Sequence, residues 1–226
     1  MGDLLAREAR FQKTYRWVLA GYALICVGLA VFWAVRTDWY QFFQAMANLA
    51  MPFLYWAVFK LLRLTRVYQV DLVILLFTFL AYTLGVAARV YHLLLGYDKI
   101  MHMLSGAFTM YLAIPTFYTL KSEKPFQKTD CALAVAFCIM TTLAVAGLWE
   151  IVEFFINLVT GIDLQNVAAT GVYDTMMDMI VCTLGALCVL PAMLAYYRKG
   201  KTGFLMGAAM LFVEKNPRNR IARTSE

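Results

Sequence analysis

Residues Cys131 to Trp149 read CALAVAFCIMTTLAVAGLW, nineteen consecutive positions without a charged side chain. As an α-helix this stretch is about 28 Å long, which matches the roughly 30 Å hydrocarbon core of a bilayer. Four similar runs carry no charged residue over at least seventeen positions, and one more contains a single histidine. In chain order these five runs are Trp17 to Val35, Trp39 to Phe59, Leu72 to Ala88, Ile100 to Leu120 and Met179 to Tyr197. The sequence therefore predicts an all-α protein, a polytopic transmembrane helical bundle of six spans.

The amino-acid composition is also typical of a membrane protein. Of the 226 residues, 62% are hydrophobic and 15% are charged, and the mean hydropathy is +0.67. A soluble domain is about half apolar and a quarter charged, so an ordinary water-soluble enzyme is excluded. A chain of this length is expected to form one compact domain.

The lysines and arginines predict the orientation of the spans. If the N-terminus is cytoplasmic, seventeen of the twenty lie in cytoplasmic segments, and only Arg36, Arg89 and Lys99 lie outside. Because basic residues collect on the cytoplasmic side of membrane proteins, we expect both termini to be cytoplasmic. The net charge of +6 then reflects topology and contact with anionic lipid headgroups of the bilayer, and no nucleic-acid partner is expected.

The predicted organisation has three segments. Residues 1–16 form a basic N-terminal tail, 17–198 the six-helix transmembrane domain, and 199–226 a basic C-terminal tail, with both tails in the cytoplasm. The C-terminal tail contains an apolar segment, Gly203 to Val213, whose eleven residues are too few to span a bilayer. This segment is expected either to lie at the membrane interface or to pack under the bundle.

Six ionisable side chains belong to the predicted spans and mark a candidate site. They form three pairs, spaced three or four residues apart, at the extracytoplasmic ends of spans four, five and six. The pairs are Asp98 with His102, Glu150 with Glu153, and Asp174 with Asp178. Because each pair lies on one helix face, the six residues predict two polar layers. One layer holds His102, Glu150 and Asp178, and the other holds Asp98, Glu153 and Asp174.

Five carboxylates and an imidazole need a compensating positive charge in a medium of low dielectric constant. One divalent metal ion, Mg²⁺, Mn²⁺, Ca²⁺ or Zn²⁺, would supply it, and all six side chains are candidate ligands. A proton site shared among the six is a related interpretation. The alternative is a structural lock, in which Glu150 pairs with Arg89, His102 bridges to Asp178, and Asp98 and Asp174 begin their helices.

Three motifs resemble known membrane protein families. They are Asp98-Lys99-x-x-His102, Glu150-x-x-Glu153 and Gly171-Val-Tyr-Asp174-Thr-Met-Met-Asp178-Met179. In this order they resemble the YjdF-like family of bacterial inner-membrane proteins of unknown function, over roughly residues 70 to 198. This resemblance implies a multi-pass protein of the bacterial plasma membrane. It also implies that the motif residues are the functionally important positions, without identifying a reaction.

A more distant resemblance is to the VanZ-like membrane proteins, and it has two departures. Cys182 stands where the VanZ pattern has Asn, and Glu153 where that pattern favours Gln. The link of VanZ proteins to glycopeptide resistance is therefore not carried over.

Three classes of function remain open from the sequence. The first is an enzyme in which a metal ion activates water toward a lipid or cell-envelope phosphate, with His102 or a glutamate as general base. The second is a structural or partner-binding membrane subunit. The third is a cation or proton transporter. The sequence disfavours this class, because spans four to six have almost no polar residues below the site except hydroxyls such as Thr141, Thr142 and Thr183.

Overall fold

In the computed structural model, residues 2–121 and 125–217 are described, and they form helices joined by short connections, with no strand in these two ranges. Within the described residues, six helical segments are long and apolar enough to cross a membrane. Their bounds are Gly2–Val35, Trp39–Leu61, Tyr68–Ala87, Tyr97–Leu120, Lys128–Thr160 and Tyr173–Lys199. The predicted all-α fold with six spans is therefore confirmed.

The α-helices are numbered in chain order. They are α1 Gly2–Val35, α2 Trp39–Leu61, α3 Tyr68–Thr78, α4 Val90–Leu93, α5 Tyr97–Leu120, α6 Cys131–Thr160, α7 Val167–Thr170, α8 Tyr173–Lys199 and α9 Gly203–Lys215. The third span continues beyond α3 as a π-helix, Phe79–Ala87, and a 3₁₀ turn, Lys128–Asp130, precedes α6.

Local signals explain where several helices begin and end. The carboxylate of Asp38 accepts a hydrogen bond from the Gln41 backbone N–H at 3.2 Å and so caps the start of α2. Helices α6 and α8 both end at a glycine in the left-handed conformation, Gly161 with φ 74° and Gly200 with φ 68°. Only glycine adopts this conformation without steric cost, so the two glycines end the fifth and sixth spans.

The chain divides into two compact units. The first unit contains residues 1–97 and 207–226, and the second unit contains residues 98–206. Helix α1 is continuous from Gly2 to Val35, so the predicted tail 1–16 is helical from residue 2 onward. The predicted division at residues 16 and 198 is not tested by these units and stays a prediction.

In the first unit, α1 and α2 pack antiparallel and are joined by hydrogen bonds of tyrosine hydroxyls. The Tyr15 and Tyr55 hydroxyls share a hydrogen bond, and the Tyr22 hydroxyl donates to the Asn48 carbonyl oxygen at 2.6 Å. The later residue of α1, Tyr22, contacts the earlier residue of α2, Asn48, so the two helices run in opposite directions. Interhelical hydrogen bonds of this kind hold transmembrane helices together where the hydrophobic effect between them is weak.

Arg66 is the centre of a polar cluster in the first unit. Its Nε donates to Asp71 Oδ2 at 2.7 Å, and one terminal nitrogen donates to the Tyr55 hydroxyl at 3.0 Å. The guanidinium also lies over the rings of Tyr15 and Tyr55. Burial lowers the pKa of Arg66, but the neighbouring Asp71 carboxylate outweighs burial and the pKa lies above its ordinary value. The fully buried Asp71 carboxylate therefore has a fixed positive partner.

The end of α9 is bound to the same region of the first unit. Lys215 Nζ donates to Glu8 Oε1 at 2.7 Å. The Asn216 side chain accepts from the Thr65 backbone N–H at 2.5 Å and donates to the Thr65 carbonyl at 2.9 Å. Asn216 is 2% exposed. The residues that directly follow the apolar segment are therefore held to the first unit by specific polar bonds.

The second unit contains most of α5, all of α6, α7 and α8, and the loops between them. Buried small residues, Ala134, Cys138, Thr142 and Ala146, recur every four positions along α6. Small residues permit close helix packing, and α6 packs along α8. All six candidate site residues belong to this unit.

Candidate functional site

Two glycines let the backbones of α5 and α8 touch directly below the site. A Cβ atom added to Gly106 would lie 1.7 Å from the Cys182 carbonyl oxygen, and one added to Gly185 would lie 1.8 Å from the Met103 carbonyl oxygen. His102 lies one helical turn before Gly106, and Asp178 lies one turn before Cys182. The crossing therefore holds the first turns of α5 and α8 side by side.

Asp98, His102 and Asp178 come together at this point. His102 Nε2 lies 3.5 Å from Asp98 Oδ1 and 3.7 Å from Asp178 Oδ1. One ligand atom from each of the three residues lies within 4.8 Å of the other two, an arrangement that could hold a metal ion. The Asp178 side chain is 3% exposed and that of His102 is 11% exposed, whereas the Asp98 side chain is 43% exposed. The group is therefore open on the Asp98 side and closed on the Asp178 side.

The ammonium group of Lys99 lies among three carboxylates. Its Nζ atom donates to Asp174 Oδ1 at 2.5 Å, to Asp178 Oδ1 at 2.7 Å and to Asp98 Oδ2 at 3.2 Å. An ammonium has three donors, so these contacts use its full capacity. Part of the positive charge that the sequence analysis assigned to a metal ion is thus supplied by the chain itself.

The two glutamates of α6 have partners of their own. Gln165 Nε2 donates to the Glu150 side chain at 3.1 Å and to the Glu150 carbonyl at 3.0 Å. Trp149 Nε1 donates to Glu153 Oε1 at 2.7 Å. Both glutamates are buried. Glu153 also interacts electrostatically with Glu150, His102 and Asp98, so it belongs to the surroundings of the three-residue group.

The loop between α6 and α8 contacts the site residues Glu150 and Asp174. Asn166, in the left-handed conformation with φ 50°, donates from Nδ2 to Asp174 Oδ2 at 2.7 Å. The backbone N–H groups of Ala168 and Val167 donate to the Asp163 carboxylate and hold its pKa below its ordinary value. Asp163 therefore fixes the short helix α7, and the loop presents Asn166 to Asp174 and Gln165 to Glu150.

The structure regroups the six predicted site residues. Asp98, His102 and Asp178 form one group of possible metal ligands, and Asp174 joins it through Lys99. Glu150 and Glu153 lie on the neighbouring helix with separate hydrogen-bond donors. The group joins the two predicted layers, since Asp98 belongs to one layer and His102 and Asp178 to the other, and the layers themselves stay a prediction. Residues four apart on a helix lie one above the other, which lets Asp98 reach the imidazole one turn away.

Sequence reasoning missed three polar partners at the site, Lys99, Gln165 and Asn166. Lys99 carried a usable signal, since it was the single lysine on a predicted outer face that carries seven acids. Gln165 and Asn166 carried none, because they lie in a loop whose path depends on the left-handed residues Gly161 and Asn166. Arg89, an element of the predicted lock, lies 3.8 Å from Asp38 in the first unit. The contact of His102 with Asp178 that the lock required is present.

The chain matches the model of a known protein family. The model of the family described as "Predicted membrane protein (DUF2238)" matches residues 14–200. This is the YjdF family, so the resemblance inferred from the motifs is confirmed, whereas the match gives no support to the more distant VanZ-like resemblance. No curated protein and no solved structure matches the chain.

Proposed function

Because the chain belongs to the DUF2238 family of predicted membrane proteins, we propose that it is a multi-pass protein of the bacterial plasma membrane that binds a divalent cation at Asp98, His102 and Asp178. Both termini are cytoplasmic, and the site lies at the extracytoplasmic ends of spans four and six. This orientation rests on the distribution of lysine and arginine, because the reverse orientation would place seventeen of twenty basic residues outside.

The observation that carries the proposal is the convergence of two carboxylates and an imidazole within 4.8 Å of one another. Three protein ligands leave coordination positions open, which is typical of catalytic rather than structural metal sites. Two oxygens and one nitrogen suit Mn²⁺ and Zn²⁺ best among the four metals expected from the sequence. A bound cation would supply Lewis acidity toward a phosphate oxygen, and the substrate class is a phosphate of a lipid headgroup or of the cell envelope.

The two glutamates of α6 have different roles in the proposed chemistry. If His102 binds the metal through Nε2, that nitrogen cannot also accept a proton, so Glu153 is the general base. Its Oε1 is held by Trp149 at 2.7 Å, and the residue is 7% exposed. Gln165 holds Glu150 in place, so Glu150 has a positioning role rather than a ligand role.

Metal content tests this proposal directly. The full-length protein, purified in detergent, is loaded with Mn²⁺ or Zn²⁺, desalted and analysed by mass spectrometry, beside Asp178→Asn, His102→Ala and the control Asp3→Asn. Asp3 is an exposed carboxylate of α1, so the control matches the loss of charge without touching the site. One metal ion per chain in the wild type and control, and loss of it in both site variants, is expected. Equal metal content in all four proteins, or none in the wild type, would overturn the proposal.

The structural lock is a second candidate function, and the contacts of Lys99 favour it. Two hydrogen bonds from the Lys99 ammonium, to Asp174 and Asp178, join α5 to α8 without any metal ion. A protein that uses the cluster only as a lock would melt at lower temperature in Asp178→Asn and His102→Ala, and metal content would be zero throughout. Metal content and melting curves measured together on the same four samples therefore separate the two functions.

A further inference from the structure

The three carboxylates around Lys99 carry more negative charge than the single ammonium balances. Asp98, Asp174 and Asp178 together contribute three negative charges when ionised, against one positive charge on Lys99. The Asp174 and Asp178 side chains are 12% and 3% exposed, so water screens them poorly. A further cation is therefore attracted to this end of the second unit.

A metal ion and Lys99 would use the same oxygen atom. Asp178 Oδ1 accepts the Lys99 hydrogen bond at 2.7 Å and is also the oxygen that faces His102 Nε2 at 3.7 Å. A metal ion lies about 2.1 Å from a ligand oxygen, so it and Nζ would be at most about 4.8 Å apart if Lys99 stayed in place. Two like charges at that distance repel each other strongly in a poorly hydrated site.

Asp174 offers Lys99 a second position. Its Oδ1 accepts from Lys99 at 2.5 Å, and its Oδ2 is held by Asn166 at 2.7 Å. Asp174 is not one of the three residues whose ligand atoms converge. The lysine side chain is flexible and 31% exposed, so it can leave Asp178 while keeping its bond to Asp174.

We propose that the Lys99 ammonium competes with a metal ion for the Asp178 carboxylate. Without metal, the ammonium is bound to Asp178. When a metal ion binds, the ammonium leaves Asp178 and stays bound to Asp174 alone. The inference rests on the proposed function and assigns roles within it. Asp98, His102 and Asp178 are ligands, Lys99 sets the affinity, and Asp174 receives the displaced ammonium. Competition of this kind also explains how the carboxylates avoid mutual repulsion in the absence of metal.

The test measures Mn²⁺ affinity by equilibrium binding to the detergent-purified full-length protein, wild type beside Lys99→Met and Lys99→Arg. Methionine is an unbranched side chain one atom shorter than lysine and carries no charge, whereas arginine keeps the charge. We expect Lys99→Met to bind Mn²⁺ about tenfold more tightly than the wild type, and Lys99→Arg to stay within about twofold of it.

The failures of the two proposals are distinguishable. If the wild type binds Mn²⁺ and Lys99→Met binds it equally or more weakly, the competition is wrong while the metal site stands. If neither protein binds Mn²⁺, the metal site itself is wrong and the competition with it.

Asp174→Asn gives a second, independent measurement should Lys99→Met fold poorly. Removing the second position of the ammonium is expected to weaken Mn²⁺ binding about threefold or more, because Lys99 then has only Asp178 and Asp98. In the double variant Lys99→Met/Asp174→Asn this weakening should disappear. An unchanged affinity in Asp174→Asn would contradict the role assigned to that residue.

Discussion

Substituting Gly106 by alanine should separate α5 from α8 and disrupt the site above the crossing. The new Cβ would lie 1.7 Å from the Cys182 carbonyl oxygen, whereas carbon and oxygen normally approach no closer than about 3.3 Å. The two backbones must therefore move apart by about 1.6 Å. Metal ligands tolerate displacements of about 0.2 Å, so the approach of His102 to Asp178 would be lost.

The energetic cost follows from two opposing effects. Overpacking costs about 1–3 kcal/mol, and the upper end applies because the clash is with rigid backbone rather than with a movable side chain. Alanine is favoured over glycine within a helix by about 1 kcal/mol, which leaves a net destabilisation of about 2 kcal/mol. For a chain of this size such a loss lowers the melting temperature by roughly 4–8 °C.

Size-exclusion chromatography after heating, on protein purified in detergent, measures this difference. Gly147→Ala is the matched control: it places the same methyl group on α6, with Met179 Cε as the nearest atom at 3.9 Å, an ordinary contact. We expect Gly147→Ala to melt at or above the wild-type temperature and to keep its metal content. A Gly106→Ala protein that melts like the wild type and still binds metal would refute the view that direct backbone contact positions the site.

Two further predictions concern the first unit and the topology. Arg66→Met should destabilise the protein by about 3–5 kcal/mol in detergent melting, because it leaves the fully buried Asp71 carboxylate without its positive partner. Arg63→Met, at an exposed position, is the control. Equal melting temperatures of the two variants would contradict the role of Arg66. In a cysteine-free background, a cysteine at Leu164 should react with a membrane-impermeant maleimide in intact cells and one at Lys201 only after lysis. The opposite labelling pattern would show that the proposed orientation is reversed.

The sequence alone determined the class of fold and the positions of the spans. Uncharged runs such as Cys131 to Trp149 and Met179 to Tyr197 have a single stable environment, because a long apolar helix satisfies its own backbone in lipid. The same reasoning located the end of the molecule at which Asp98, His102 and Asp178 meet, since ionisable groups within spans are rare and spacing along a helix fixes which of them share a face.

Only the tertiary structure decided which polar residues touch. The approach of His102 to Asp178 depends on the backbone contact between Gly106 and Cys182, and sequence spacing within one helix carries no information about the rotation of another. The placement of Lys99 between Asp174 and Asp178 likewise depends on two helices at once. Helix periodicity is a local property of the chain, whereas the choice of partner for a buried charge is a property of the packed helices, and the chemistry of this site rests on that choice.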